Sequence, residues 1–115
     1  MKGYKGFDKD LKCRDMQYEV GKEYKEKEAS LCNYGLHFCE NPLDVFNYYP
    51  PANSRYAEIE AQKVDGEKSN DSKRVAKQIK ITAEIGLPGI INAGVEYIKN
   101  QINWDNDKIS NTGNW

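Results

Sequence analysis

The stretch GLHFCENPLDVFNYYPP, residues 35–51, constrains the fold most, because it joins a strand pattern directly to a helix start. Side chains of a strand point to opposite faces in turn, so Leu36 and Phe38 are predicted to enter the interior of a sheet together. Asn41 is a favourable N-cap, and Pro42 suits the first position of a helix. The sequence therefore predicts a strand whose following helix lies across the sheet.

Alternating residues predict further strands, with short ones at residues 11–13 and 18–20 and three longer runs. GYKGF, residues 3–7, opens the chain, and RVAKQIKITAEI, residues 74–85, alternates over a longer run. RYAEIEAQKV, residues 55–64, places alanine and isoleucine on one face of a strand. The opposite face of that strand is predicted to carry Tyr56, Glu58 and Glu60. The charged stretch KEYKEKEAS, residues 22–30, is predicted to form a solvated loop or a short helix.

A second helix is predicted to begin at Pro88, because apolar residues then recur with the three- and four-residue spacing of an amphipathic helix. Its apolar positions are Leu87, Ile90, Ile91, Gly94, Val95, Ile98 and Ile102. Residues 104–115 lack this periodicity, so they are predicted to form a loosely ordered tail after a single domain of residues 1–103. The expected fold class is α+β, with a small, mostly antiparallel sheet covered by two helices.

The composition predicts one soluble domain. A length of 115 residues suffices for a single core. The formal net charge is −1, whereas nucleic-acid binding usually needs a basic excess and DNA mimicry needs a dense acidic surface, so neither is expected. No apolar run of about 18 residues and no signal-peptide pattern occurs, so the expected location is the cytoplasm.

Three cysteines cannot form a complete set of internal disulfides, which indicates reduced thiols. A metal site made of Cys32, His37 and Cys39, with Cys13 as a fourth ligand, is the alternative interpretation. Six residues separate Cys32 from Cys39, more than the roughly two to four of a zinc knuckle. We therefore predict packed thiols, with neither a metal nor a cofactor.

The residues alone do not predict catalysis. His37 is the only histidine, and Cys39 is predicted on the same strand face, but no third member of a nucleophilic triad is evident. The chain contains neither a phosphate-binding glycine loop nor an HExxH helix. Glu58 and Glu60 share one strand face at a spacing that some transferases use, and a solvent-facing strand edge is the alternative.

The segments YKGFDKDLKCR, YEVGKEY, GLHFCENPLDVFNYYPP and SRYAEIEA resemble a domain of bacteriophage and prophage proteins, over about residues 3–85. The resemblance implies a phage accessory protein that binds and inhibits a host protein without catalysis, in the manner of an anti-CRISPR or other host-defence inhibitor. Tyr48, Tyr49 and Tyr56, around Pro50, are the predicted protein-binding cluster, because tyrosines favour interface hot spots. Filling of the core by these rings is the alternative.

The chain also resembles the ADP-ribosyltransferase fold in the order of its parts. An opening strand, a strand of Gly-hydrophobic-x-Phe pattern, an Asn-Pro helix start and a tyrosine that closes the helix follow one another. This resemblance implies an NAD or nucleotide cleft lined by Tyr4, His37 and either Glu60 or Glu84. Active enzymes carry His or Arg in the first strand, where this chain offers Tyr4 or Lys5, so the resemblance implies the fold without the activity.

Overall fold

The computed structural model describes residues 1–31, 34–67 and 69–111, with side chains described as far as residue 102. Within these ranges, the strands are β1 (Lys2–Asp8), β2 (Lys12–Cys13), β3 (Met16–Gln17), β4 (Glu23–Lys25), β5 (Leu36–Cys39), β6 (Ser54–Val64) and β7 (Lys73–Ile85). A 3₁₀ helix spans Pro42–Asn47, and the helix α1 spans Leu87–Asn111.

Four antiparallel strands close into a barrel. β1 pairs with β6, β6 with β7, β7 with β5, and β5 returns to β1 where Tyr4 lies opposite Cys39. The ring closes because β7 is long enough to pair with β5 near its start and with β6 over most of its length, and a bulge between Glu58 and Ile59 bends β6. The α+β class and the antiparallel pairing are confirmed, but the strands form a barrel and not a sheet covered by two helices.

The barrel interior is filled by side chains that alternate along the strands. Leu36 and Phe38 are both 2 % exposed, which confirms that they enter the core together. The other interior residues are Phe7, Leu11, Tyr18, Ala57, Ile59, Ala61, Ala76, Ile79 and Ile81. Gly3 makes room for this packing, since a Cβ atom there would lie 2.3 Å from Cδ2 of Phe38. The alternating pattern thus determines the buried face of β6, with Ala57, Ile59 and Ala61 inside, whereas β1 is buried on both faces.

The 3₁₀ helix covers the outside of the barrel. The Asn41 side chain accepts a 3.0 Å hydrogen bond from the Leu43 N–H, so the predicted N-cap and the start at Pro42 are confirmed. The Phe46 ring packs edge-on against Tyr56, with 5.4 Å between centroids. A second buried cluster lies beneath the helix and contains Tyr4, Cys39, Val45, Tyr56 and Ile90.

The charged stretch of residues 22–30 contains β4 and is not the loop or helix that its composition predicts. Tyr24 lies opposite Ile79 of β7, and its ring centroid is 4.6 Å from that of Tyr18. The packing of Tyr24 against Tyr18 therefore stabilises this segment as an edge strand of the sheet. Strand propensity depends on what a side chain packs against, so the charged composition alone does not predict it.

The helix α1 differs from the prediction in two respects. Of the seven apolar positions predicted to cover the sheet, Ile90 and Gly94 are buried and the other five are exposed. The backbone also remains helical through Asn111, whereas the pattern predicts a loose tail from residue 104, because helix extension adds a hydrogen bond per residue without needing an apolar face. Residues 112–115 lie outside the described part. Among described residues, no helix has the length and apolarity to span a bilayer.

Candidate functional site

A cleft of about 1480 Å³ opens beside the barrel. Its walls come from β1, the β2–β3 hairpin, the segment after β4, β5 and the end of the 3₁₀ helix. The lining includes three tyrosines and three basic residues: Tyr4, Tyr34, Tyr48, Lys5, Arg14 and Lys73. A concave surface with aromatic walls and a few convergent polar groups is typical of a binding site.

Lys5 forms the floor of the cleft. The residue is 4 % exposed, and its amine donates a 2.6 Å hydrogen bond to the carbonyl oxygen of His37. The amine also lies 5.4 Å from the ring centroid of Tyr18. Burial lowers the pKa of Lys5 because it disfavours the charged form, and the nearby Cys13 thiol opposes this shift only in part. Lys5 thus places a desolvated amine at the junction of barrel and cleft.

His37 points out of the barrel into the cleft, because it alternates with the inward Leu36 and Phe38. Burial, together with the positive charges of Lys5, Lys73 and Arg14, lowers its pKa to about 4. The imidazole is therefore neutral near pH 7 and lies in a positive field. Such a field favours an anionic group in the cleft.

The cleft thiols are protonated or hydrogen-bonded. Burial, together with the negative charges of Asp71 and Asp44, raises the pKa of Cys39 to about 12. The Tyr49 hydroxyl donates a 3.1 Å hydrogen bond to the Cys13 sulfur. A buried thiol with a raised pKa is a poor nucleophile at neutral pH. Among described residues, no group of three or more metal-ligating side chains could hold an ion, and Cys32 lies outside them.

Tyr48 stands on the rim of the cleft. Its ring is 43 % exposed, its hydroxyl donates a 2.6 Å hydrogen bond to Asp71, and the Lys73 amine lies 4.7 Å from its centroid. Burial opposes ionisation of Asp71, but hydrogen bonds from Ser69 and Tyr48 outweigh it and hold the pKa at about 2. The aromatic ring is thus fixed by a charge-assisted hydrogen bond on one side and a cation on the other.

Sequence reasoning missed Asp71, which lies in the polar connection before β7. The sequence does contain a signal for this role, because an aspartate often accepts a hydrogen bond from the backbone N–H two residues later. In the structure the Lys73 N–H donates a 2.9 Å hydrogen bond to the Asp71 carboxylate. Arg14, Tyr34 and Lys73 were likewise not predicted, because only the tertiary structure brings the hairpin and the strand ends to one cleft.

The three tyrosines of the predicted protein-binding cluster differ in their exposure to solvent. Tyr48 is exposed on the rim, and Tyr49 is half-buried. Tyr56 is 2 % exposed, so the prediction of an exposed three-tyrosine cluster is wrong for this residue. Strand β6 places Tyr56 beneath Phe46, where its hydroxyl donates a 2.8 Å hydrogen bond to the carbonyl oxygen of Tyr49. Tyr56 therefore supports the 3₁₀ helix and does not reach a partner.

The predicted nucleotide residues are also not brought together. Tyr4 and His37 line the cleft, but Glu60 and Glu84 do not. Glu60 accepts a 2.9 Å hydrogen bond from the N-terminal amine, and Arg55 binds both oxygens of Glu84 at 2.6 Å. The long β6–β7 hairpin carries both carboxylates away from the cleft, so neither is available there as an acid or base.

A small antiparallel barrel with a basic, tyrosine-lined cleft therefore defines this protein. The chain belongs to the family described as a domain of unknown function, DUF7666, whose family model matches residues 1–93. The matched residues include all seven described strands, the 3₁₀ helix and the whole lining of the cleft, and the match ends within α1. No curated protein and no solved structure matches the chain.

Proposed function

We propose that the protein binds another protein without catalysing a reaction, and that the cleft is the binding surface. The observation that carries the proposal is the exposed ring of Tyr48, held in place by Asp71 at 2.6 Å and by Lys73 at 4.7 Å. An aromatic ring that is already fixed loses little conformational entropy on binding. Fixed, partly exposed tyrosines at the mouth of a pocket are typical anchors of protein interfaces.

The charges of the cleft support an acidic segment as the bound part of the partner. The pKa of His37 is lowered by the positive charges of Lys5, Lys73 and Arg14. Asp15, Glu26 and Glu28 also line the cleft, so the field is positive near His37 and mixed toward the segment after β4. A partner segment with an acidic residue beside an apolar one would match the floor and the tyrosine rim.

The raised pKa of Cys39 argues against this thiol as the nucleophile of an enzyme. Cys39 has a pKa raised to about 12, and His37 is held by its own depressed pKa as a weak base. Activation of a thiol requires the opposite arrangement, with a lowered thiol pKa and a base that accepts its proton. These pKa shifts therefore favour binding over covalent catalysis by Cys39.

The resemblance to phage and prophage domains supports a bacterial host protein as the partner. A phage accessory protein of this kind would inhibit that partner by occupying its surface, and a component of a CRISPR or other defence system is the first candidate to test. The proposed partner is supported by the resemblance, whereas the proposed binding surface is supported by the residues of the cleft.

Affinity capture followed by measurement with the purified partner tests the proposal. The chain captures host proteins for mass spectrometry, and each candidate is then titrated by calorimetry against the native chain and against Tyr48→Ala. We expect Tyr48→Ala to weaken binding at least about tenfold. Val20→Ala is the matched control, because Val20 is 48 % exposed and lies outside the cleft. Equal affinities of the native chain and a folded Tyr48→Ala variant would overturn the proposal.

A nucleotide such as NAD is the second candidate ligand, in line with the resemblance to the ADP-ribosyltransferase fold. The specific observation in its favour is the group of cations around His37 beside the exposed ring of Tyr34, which is 61 % exposed and could stack on a base. Thermal shift with NAD and ADP-ribose, with labelled NAD to detect transfer, distinguishes the two candidates. A shift lost in Arg14→Glu would favour the nucleotide, and the absence of any shift would remove it.

A further inference from the structure

The helix α1 carries an exposed row of apolar side chains, here called the α1 stripe. Its members are Leu87, Ile91, Val95, Ile98 and Ile102, which are 40 %, 43 %, 45 %, 43 % and 52 % exposed. They lie four, four, three and four residues apart, so they share one side of the helix. Five large aliphatic residues in one line form a contiguous apolar patch of the kind that often marks an interaction site.

The α1 stripe is distinct from the face that packs on the body of the protein. Ile90 is fully buried, and a Cβ atom on Gly94 would lie 2.5 Å from Cγ of Leu43. Each residue turns an α-helix by about 100°, so the side of Ile90 and Gly94 is roughly a quarter-turn from the stripe. The helix is therefore docked by one face while it presents a second apolar face to its surroundings.

We propose that the α1 stripe is the interface between two copies of this chain, with α1 of one copy packed along α1 of the other. From Ile91 to Ile102 the spacings of four, three and four residues average about 3.7, close to the 3.6 residues per turn of a straight α-helix, so these side chains form a nearly straight seam along α1. A seam of this kind is complementary to itself, because the side chains of one helix enter the gaps between those of an equivalent helix. A two-fold dimer needs such a self-complementary surface.

The size of the α1 stripe fits a weak dimer. The exposed parts of its five side chains amount to roughly 400 Å² of apolar surface on one helix, the size of the largest patches on monomers. Two copies would bury about 800 Å² of it, and the polar residues beside the seam bring the contact toward the ~1,200 Å² lower limit of specific interfaces. We therefore expect a reversible equilibrium between monomer and dimer and not a permanent dimer.

The charges beside the stripe favour a second copy over a lipid surface. Between Leu87 and Ile102, the charged residues are Glu96 and Lys99, and they pair with each other at 3.6 Å. Helices that lie on membranes usually carry several basic residues on the polar face. The stripe also contributes no residue to the lining of the cleft, so dimerisation and partner binding are tested independently.

Sedimentation velocity of the full chain from about 1 µM to 500 µM tests this inference. We expect the native chain to shift from monomer to dimer over this range, and Ile98→Lys to raise the dissociation constant at least about tenfold. Asn100→Lys is the matched control, because it adds the same charge on the opposite side of the helix and should dimerise as the native chain does. Ile91→Lys repeats the test at a second stripe position, and thermal melting establishes that every variant is folded.

Three outcomes would overturn the inference. One is a native chain that stays monomeric at about 500 µM, and another is a folded Ile98→Lys or Ile91→Lys variant that dimerises like the native chain. The third is a monomeric native chain that co-sediments with vesicles of anionic phospholipid and loses this binding in Ile98→Lys, which would assign the stripe to a membrane surface.

Discussion

The Tyr48 hydroxyl donates a 2.6 Å hydrogen bond to the Asp71 carboxylate, which joins the end of the 3₁₀ helix to the loop before β7. The same carboxylate accepts a 2.5 Å hydrogen bond from the Ser69 hydroxyl and a 2.9 Å hydrogen bond from the Lys73 N–H. One acid therefore fixes both the tyrosine of the rim and the loop beneath it. The shape of the cleft mouth depends on Asp71 being ionised.

Asp71 is expected to make stability fall in acid. Its folded pKa of about 2 lies below the ordinary 3.8, so its contribution is complete above pH 3.8 and is lost as the pH falls through 2. Because Asp71 is partly exposed, we expect this contribution to be about 1 kcal/mol. Urea unfolding between pH 6 and pH 2 measures it, and Asp71→Asn should lose less stability over that range. Parallel curves for the two proteins would contradict the assignment.

His37 is expected to titrate far below an ordinary histidine. Its folded pKa of about 4 lies below the usual 6.5, so the unfolded chain takes up the proton first as the pH falls. Stability should therefore be complete above pH 6.5 and decline as the pH falls through 4, by about 1–2 kcal/mol, with His37→Gln removing this decline. Proton NMR follows the imidazole directly, since the chain has a single histidine. A midpoint near 6.5 would contradict the buried, positively charged surroundings.

Replacing Lys5 by methionine is expected to stabilise the fold. The substitution removes a desolvated amine whose pKa is lowered by burial, and that gain should exceed the loss of one hydrogen bond to the His37 carbonyl. We expect Lys5→Met to raise the free energy of unfolding at pH 7 by about 1–2 kcal/mol. Because an amine of lowered pKa costs stability below its unfolded pKa of 10.5, the difference should shrink as the pH rises toward that value. Chemical denaturation of both proteins at pH 7 and pH 10 measures the gain in stability and its decrease at the higher pH.

Gly3 is expected to tolerate no side chain. A Cβ atom there would lie 2.3 Å from Cδ2 and 2.8 Å from Cε2 of Phe38, inside the filled barrel. We expect Gly3→Ala to destabilise the protein by about 2–3 kcal/mol, since Phe38 has no space to move into. Gly66→Ala is the control, because no atom lies within 4 Å of a Cβ atom there, and it should change stability by less than about 0.5 kcal/mol. Equal melting temperatures of the two variants would contradict this packing.

Substitutions of Tyr48 and Tyr49 by alanine are expected to differ in their effect on stability. Tyr49 is half-buried against the second cluster, and its hydroxyl donates a hydrogen bond to Cys13, so Tyr49→Ala should cost about 2–4 kcal/mol of stability. Tyr48→Ala should cost less than about 1 kcal/mol, because the ring is exposed and its main contacts are polar. Thermal unfolding of the two variants measures the difference. A larger loss in Tyr48→Ala would make Tyr48 a structural residue and weaken its assignment as an anchor.

The inward-facing residues of β5 and β6 could be predicted from the sequence, because strand side chains alternate and the apolar ones must be inside. Leu36 and Phe38 share the interior as their spacing requires, and Asn41 caps the turn that begins at Pro42. The start of α1 was likewise evident from its apolar spacing. These features are local, so neighbouring residues carry the whole signal.

The closure of the barrel and the composition of the cleft could not be predicted in this way, because they depend on contacts between residues far apart in the chain. Lys5 meets His37 across 32 positions, and Tyr48 meets Asp71 across 23. The periodicity of α1 predicts an apolar face but not what covers it, and only packing on Leu43 decides that Gly94 is buried while Val95 is exposed. Local chemistry thus determined which residues form the core, and the long-range pairing of β7 with three strands decided which of the remaining side chains meet in one site.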